Sequence, residues 1–194
     1  MFSFEEIKEN LKRDLKKSRY EHTLRVVNKA EEIAGKYKLD INKCKLAALL
    51  HDCGKGKEEH YKNKYISEYN KLIKKDEYVE FKNPFLEHCI IGYLVAKNHY
   101  KVEDNDVLNA ILWHTTGRLG MTEIEKVIYL ADKTENGRDY PSVDKIREKS
   151  LINLNDAIIL SINNNIKYLI ENNQIISINT IKLRNELIGG ISGR

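Results

Sequence analysis

The chain has 194 residues, of which 41% are hydrophobic and 32% charged, with a formal net charge of +4. That length suits one well-packed domain rather than two, and the composition excludes disorder along the whole chain. No apolar run approaches the length that spans a bilayer, and the opening Met1-Phe-Ser-Phe-Glu-Glu is acidic, unlike a secretory signal.

With two prolines and little strict alternation, the sequence reads as helix almost throughout, and the expected fold is all-α, a single helical bundle over residues 1–194. In chain order, Leu11, Leu15, His22, Val26 and Ala30 share one helical stripe. A second stripe holds Cys44, Ala47, Ala48 and His51, with Asp52 next to it and Gly54 as a stop signal. The stretch from Lys55 to Lys82 is rich in lysine, with Tyr61, Tyr65 and Tyr69 on one face. Glu58, Glu59, Glu68, Asp76, Glu77 and Glu80 are mixed in. It reads as a solvated helical insert whose tyrosines pack on the body, and the modest net charge argues against nucleic acid as a partner.

Asn83-Pro84 has the pattern of an N-cap and a first-turn proline, opening a helix in which His88 aligns with Phe85, Ile91, Gly92 and Val95. His114 follows Val107, Ala110 and Ile111 and precedes the stop at Gly117. Thr122 and Glu125 form a capping-box pattern before the stripe Ile124, Ile128, Tyr129 and Asp132, which ends at Asn136-Gly137. The remainder, about 150–190, is expected to supply packing helices around a break at Asn172-Asn173. Three cysteines without paired spacing argue against disulfides and make cytoplasm the expected compartment. Cys44 and Cys89 read as core fillers, Cys53 as a thiol beside the doublet, and His60 and His99 as surface residues.

Five segments thus direct His22, His51-Asp52, His88, His114 and Asp132 inward. One buried imidazole commonly finds a backbone partner, but burying all of these is costly unless something compensates them together, and a shared cation does so. The carbonyl-rich helix ends beside His51-Asp52, His114 and Asp132 favour positive charge as well. His22, His51, Asp52 and Asp132 form a nitrogen and oxygen set without thiolate, suited to Fe(II), Mn(II), Co(II) or Zn(II) rather than Ca(II). Such an ion acidifies water toward neutrality, which makes hydrolysis the natural chemistry, with Asp52 orienting or deprotonating the water.

The order His…His-Asp…His…His…Asp resembles the HD-domain superfamily of metal-dependent phosphohydrolases. The words Ser18-Arg-Tyr-Glu-His-Thr, Leu50-His-Asp-Cys-Gly-Lys, Trp113-His-Thr-Thr-Gly, Tyr129-Leu-Ala-Asp-Lys-Thr-Glu-Asn-Gly-Arg138 and Thr180-Ile-Lys-Leu-Arg-Asn are similar to those of the YqeK-type symmetrical bis(5′-nucleosyl)-tetraphosphatases. The motif-bearing part spans about 18–138; Cys53 and the lysines after the doublet depart from the pattern. The resemblance implies cleavage of diadenosine tetraphosphate (Ap4A) in the middle to two ADP, and it favours iron and a single ion. A second ion at His88 and His114 stays open.

The same resemblance implies catalytic roles for Asp52, Lys55, His88 and His114, and nucleotide contacts from His22, Asp52, His88, His114, Asp132, Lys133 and Arg138. Lys55 and Arg138 are read as cations at the rim, with Arg19 and the Thr115-Thr116-Gly117 turn as further phosphate contacts. Three rivals remain: an HD hydrolase of mononucleotides, dNTPs or a signalling nucleotide; a non-catalytic nucleotide sensor; and an RNA-binding protein using the basic insert. Oligomeric state is open, a homodimer included.

Overall fold

The computed structural model describes residues 2–192, and among them there are eleven α-helices, one 3-10 helix and no strand. α1 (Phe4–Asp14) opens with a full capping box between Ser3 and Glu6 and ends at Leu15, whose backbone is extended. α2 (Lys17–Tyr37) is therefore a separate helix. The stripe from Leu11 to Ala30, expected to be continuous, crosses a break, yet Leu11, Leu15, His22, Val26 and Ala30 all remain buried.

α3 (Ile41–Leu50) starts on Asp40, whose carboxylate accepts from the Lys43 amide at 3.0 Å. The lysine-rich stretch folds as α4 (Glu58–Lys64), α5 (Ile66–Leu72) and the 3-10 segment Asp76–Lys82. Tyr61 and Tyr69 are buried and Tyr65 is half-buried, so the tyrosines do pack on the body. Tyr69 donates to Glu87 at 2.7 Å, tying the insert to the next helix.

α6 (Glu87–Asn98) begins later than the Asn83-Pro84 pattern indicates. Asn83 closes the 3-10 segment, its Oδ1 accepts from the Phe85 amide, and its carbonyl accepts from Leu86 and Glu87. Phe85 is 80% exposed and so lies outside the His88 stripe. The end of α3 crosses α6 closely: a Cβ at Gly54 would fall 2.7 Å from Ile91 Cγ2, and one at Gly92 would fall 3.3 Å from the His51 carbonyl. Small residues there let α6 set His88 against the His51-Asp52 turn.

α7 (Asn105–Trp113) is capped by Asp104, and α8 (Glu123–Thr134) by Thr122. Only half of the expected capping box forms. Thr122 Oγ1 accepts from the Glu125 amide, whereas the fully buried Glu125 carboxylate is paired with Arg118 at 2.6 and 2.8 Å. α2, α3, α7 and α8 pack on one another and form the frame of the core, with α6 against α7.

α9 (Val143–Ser150) is a short helix that the periodicity did not single out. α10 (Leu154–Glu171) and α11 (Ile178–Ser192) flank the expected break at Asn172-Asn173. α11 is latched to the body in three places. Glu80 accepts from the Asn179 amide and the Ser177 hydroxyl, Thr180 Oγ1 donates to the Thr116 carbonyl at 2.8 Å, and Leu183 lies over Gly117. His60 is exposed as expected; His99 is half-buried between the rings of Phe2 and Tyr100, because the chain ends of α1 and α6 meet there.

Candidate active site

His51 and His114 occupy equivalent places, each directly following the last residue of its helix, α3 and α7. The Nδ1 of His51 meets the Ala48 carbonyl at 2.7 Å, and the Nδ1 of His114 meets the Ile111 carbonyl at 2.7 Å. A carbonyl can only accept, so the proton sits on Nδ1 and the Nε2 lone pair points inward. His22, from α2, has its Nδ1 3.1 Å from Glu135 Oε1, with the same consequence for its Nε2.

Those inward atoms converge. His22 Nε2 is 3.2 Å from Asp132 Oδ1, which is itself 3.9 Å from His51 Nε2; His51 Nε2 is 3.5 Å from Asp52 Oδ2. On the other side of Asp52, Oδ1 lies 3.7 Å from His88 Nε2 and 3.8 Å from His114 Nε2, and the two imidazole nitrogens are 3.3 Å apart. The six expected inward residues are thus brought into one cluster, with Asp52 shared between its halves.

His22 Nε2, His51 Nε2 and Asp52 Oδ1 are buried without a hydrogen-bond partner. Three unpartnered acceptors on neighbouring residues would be a heavy burden in a protein interior, and a divalent cation relieves it. His22, His51 and Asp52 offer ligand atoms within 4.8 Å of one another, so the residues fit a metal. His88, Cys89 and His114 form a second such group.

Charge is balanced by cations outside the ligand ring. Arg19 Nη1 donates to Asp52 Oδ2 at 2.9 Å, and Arg138 donates from Nη2 to Asp132 Oδ1 at 2.7 Å and from Nε to the Asp132 carbonyl at 2.8 Å. Arg138 is therefore anchored on a candidate ligand rather than free at the rim. Lys133, expected to contact the nucleotide, is pinned: its Nζ donates to the carbonyls of His114 and Thr115 and lies over the Tyr129 ring. Burial, opposed by Asp132, lowers its ammonium to about 8. Lys55 is half-buried, has no ion-pair partner among the described residues, and is close enough for its charge to be felt at His88.

Burial would raise Asp52, but His51, His114 and His88 outweigh it and hold the carboxyl well below its ordinary range. Asp132 is held low in the same way, against its own burial, by His22, Lys133, His51 and Arg138. Burial pushes His88 down to about 4; burial with the neighbouring His51 and His88 pushes His114 to about 3. His51 is the exception, since Asp52 and Asp132 overcome the burial that would lower it. Cys53 donates to the Gly92 carbonyl, and burial raises its thiol far above the ordinary range, so it is an inert filler.

Sequence reasoning gave no role to Glu135 or Arg25. Glu135 is 1% exposed and accepts from His22, Arg25 and the Gly137 amide. Its one signal in the sequence is the spacing Asp132…Glu135…Arg138, in a stretch that otherwise reads as a polar loop.

The HD-domain family model matches residues 19–137. A symmetrical bis(5′-nucleosyl)-tetraphosphatase of Bacillus subtilis is 36% identical over 180 residues, covering 93% of this chain and 95% of that protein. Its counterpart in Halalkalibacterium halodurans is 38% identical over 178 residues, covering 92% and 93%. Among solved structures, a predicted HD superfamily hydrolase involved in NAD metabolism from Clostridium acetobutylicum superposes with a TM-score of 0.88 at 37% identity, over 98% of this chain and 99% of that one.

Proposed function

The chain belongs to the HD-domain family, and from that premise we propose that it is a hydrolase that cuts a dinucleoside tetraphosphate such as Ap4A symmetrically, giving two nucleoside diphosphates. The observation that carries the reading is the set of orphaned acceptors on His22, His51 and Asp52, residues that offer ligand atoms within 4.8 Å of one another, in a chain whose relatives at 36% and 38% identity are symmetrical tetraphosphatases.

His22, His51, Asp52 and Asp132 would hold one divalent ion, iron by the likeness, with manganese, cobalt or zinc compatible with the donor types. When bound, the ion supplies charge neutralisation and water of lowered pKa. Asp52 has two differently placed oxygens. Oδ2 faces His51 and Arg19, and Oδ1, toward His88 and His114, accepts the proton of an attacking water. His88 can donate from Nε2 to a phosphate oxygen. His114, whose Nδ1 proton is committed to Ile111, offers a lone pair at Nε2. A polyphosphate beside it counters the burial that keeps it neutral, so it can take the water's proton on from Asp52 Oδ1, 3.8 Å away, and give it to the leaving phosphate oxygen.

Lys55, Arg19 and Arg138 neutralise charge on the transferring phosphoryl oxygens, and Lys133 fixes the backbone of the His114-Thr115 turn beneath them. The group His88, Cys89 and His114 supports a second reading, a dinuclear centre, and metal stoichiometry per chain decides between them. Residues 1–194 act as one unit in this reading, in the cytoplasm, and no helix among the described residues is long and apolar enough to cross a membrane.

The test is anaerobic incubation of the Fe(II)-loaded protein with Ap4A and chromatography of the nucleotides, beside a His51→Ala control. ADP alone, with an inert variant, supports symmetrical cleavage. ATP plus AMP would move the cut, and no product would pass the lead to a mononucleotide hydrolase or a nucleotide sensor.

A further inference from the structure

Two of the tethered imidazoles, His51 and His114, lean on neutral backbone carbonyls, whereas His22 leans on a carboxylate. We propose that Glu135 is a positioning residue whose negative charge, held in place by Arg25 through the space left at Gly137, sets how tightly His22 binds a divalent cation. The proposal rests on the metal-site reading above.

The two oxygens of Glu135 divide the work. Oε1 receives His22 Nδ1 at 3.1 Å, with Arg25 Nη2 at 3.5 Å and Arg138 Nε at 3.8 Å beside it, while Oε2 receives Arg25 Nε at 2.5 Å and the Gly137 amide at 2.5 Å. An anionic acceptor on the far nitrogen makes an imidazole a stronger metal donor and fixes its ring angle. Neither Glu135 nor Arg25 nor Gly137 is among the candidate ligands. His22 is the candidate ligand hydrogen-bonded to Glu135, and Arg138, whose Nε lies 3.8 Å from Glu135 Oε1, is a longer link to Asp132.

Gly137 is needed for space rather than for an unusual backbone angle. A Cβ there would lie 2.6 Å from Arg25 Nε and 2.8 Å from Cζ, displacing the guanidinium from Glu135. The loop itself does not depend on that ion pair. Arg147 donates to the carbonyls of Thr134, Glu135 and Arg138 at 2.9, 2.9 and 2.7 Å and holds the turn from the other side. Removing the charge of Glu135 should therefore weaken metal binding without unfolding the turn.

The experiment compares the wild-type chain with Glu135→Gln, Gly137→Ala and Arg25→Gln. Co(II) affinity is read by calorimetry, the Co(II) environment by visible absorption, and the metal-free fold by thermal melting. Glu135→Gln keeps an acceptor for His22 but loses the charge. Its Kd is expected to rise about tenfold to a hundredfold, with a shifted Co(II) band and a metal-free melt within a few degrees of wild type. Gly137→Ala and Arg25→Gln, which leave Glu135 in place but loosen it, should raise Kd by a smaller factor, about threefold to tenfold. Should Glu135→Gln melt far below wild type, those two variants decide the matter. Wild-type affinity in all three variants overturns the proposal, and wild-type affinity in Gly137→Ala and Arg25→Gln alone overturns the part given to Arg25. If the wild-type chain binds no Co(II), the metal site itself is refuted, an outcome distinct from either.

Discussion

Supplying a divalent cation should raise the thermal stability of this protein by an amount that the orphaned atoms allow to be bounded. Each buried acceptor without a partner costs about 1–3 kcal/mol. His22 Nε2 and His51 Nε2 together therefore hold back a latent stabilisation on the order of 2–6 kcal/mol. An ion present at about a hundred times its Kd stabilises the folded state by about 2.7 kcal/mol, within that range. For a chain of 194 residues, about 2–4 °C per kcal/mol converts this to a rise in Tm of roughly 5–11 °C. The assay is a melt of chelator-treated protein titrated with Mn(II), and with Fe(II) under nitrogen, beside His51→Ala. In the variant the absolute Tm reflects the cavity as well, so the metal-induced shift is the diagnostic quantity, and it should fall below about 2 °C. A wild-type shift under about 1 °C, or an equal shift in the variant, would show that the two atoms do not share an ion.

The metal-free protein should lose stability as pH falls from about 6.5 toward 4. His88 and His114, at about 4 and about 3, are neutral when folded but protonate at ordinary pH when unfolded, so their contribution is full above about 6.5 and declines below it. His51 is raised and works in the opposite sense, one imidazole against two, leaving a net loss on the order of a few kcal/mol; a Tm that stays level or rises from pH 6.5 to 4.5 would contradict this. Lys55→Ala should lower kcat/KM for Ap4A by about tenfold with little change in melting, because its cation has no ion-pair partner among the described residues. Lys133→Met should instead lower Tm, by roughly 2–6 °C, since it strips two carbonyls and an aromatic face of their donor; the reverse pattern would exchange their roles. Gly117→Ala places a Cβ 2.3 Å from Leu183 Cδ2 at a φ of 67°, so a loss of about 1–3 kcal/mol is expected by denaturant melting, with Co(II) affinity unchanged.

The ligand cluster was legible because burial and periodicity coincide: His51, His114 and Asp132 fall on the stripes that the core requires, at the helix ends that Gly54, Gly117 and Asn136-Gly137 announce. What the stripes could not show was the break at Leu15, since an extended residue between two helices can leave the same side chains buried. Local signals misled where tertiary contacts outbid them. Asn83-Pro84 makes a turn ahead of α6, and Glu125, expected to close a capping box, pairs with Arg118 in the interior. Glu135 escaped notice because an acidic residue beside Asn136-Gly137 looks like solvent-facing loop, and only the packed position of Arg25 reveals that it is interior.

The way His51 and His114 are tied to their own helices has a bearing on protein design. In both, the ring is oriented by the carbonyl of the same terminal turn, Ala48 in one case and Ile111 in the other. Such an imidazole is aimed by local geometry alone, before any distant segment closes around it, so little of its rotamer freedom is left to be lost when an ion is captured. A histidine directly after the last residue of a helix is thus a transplantable unit: grafted in pairs onto facing helices of an unrelated bundle, it carries its own aiming device and leaves the host to supply only the carboxylates.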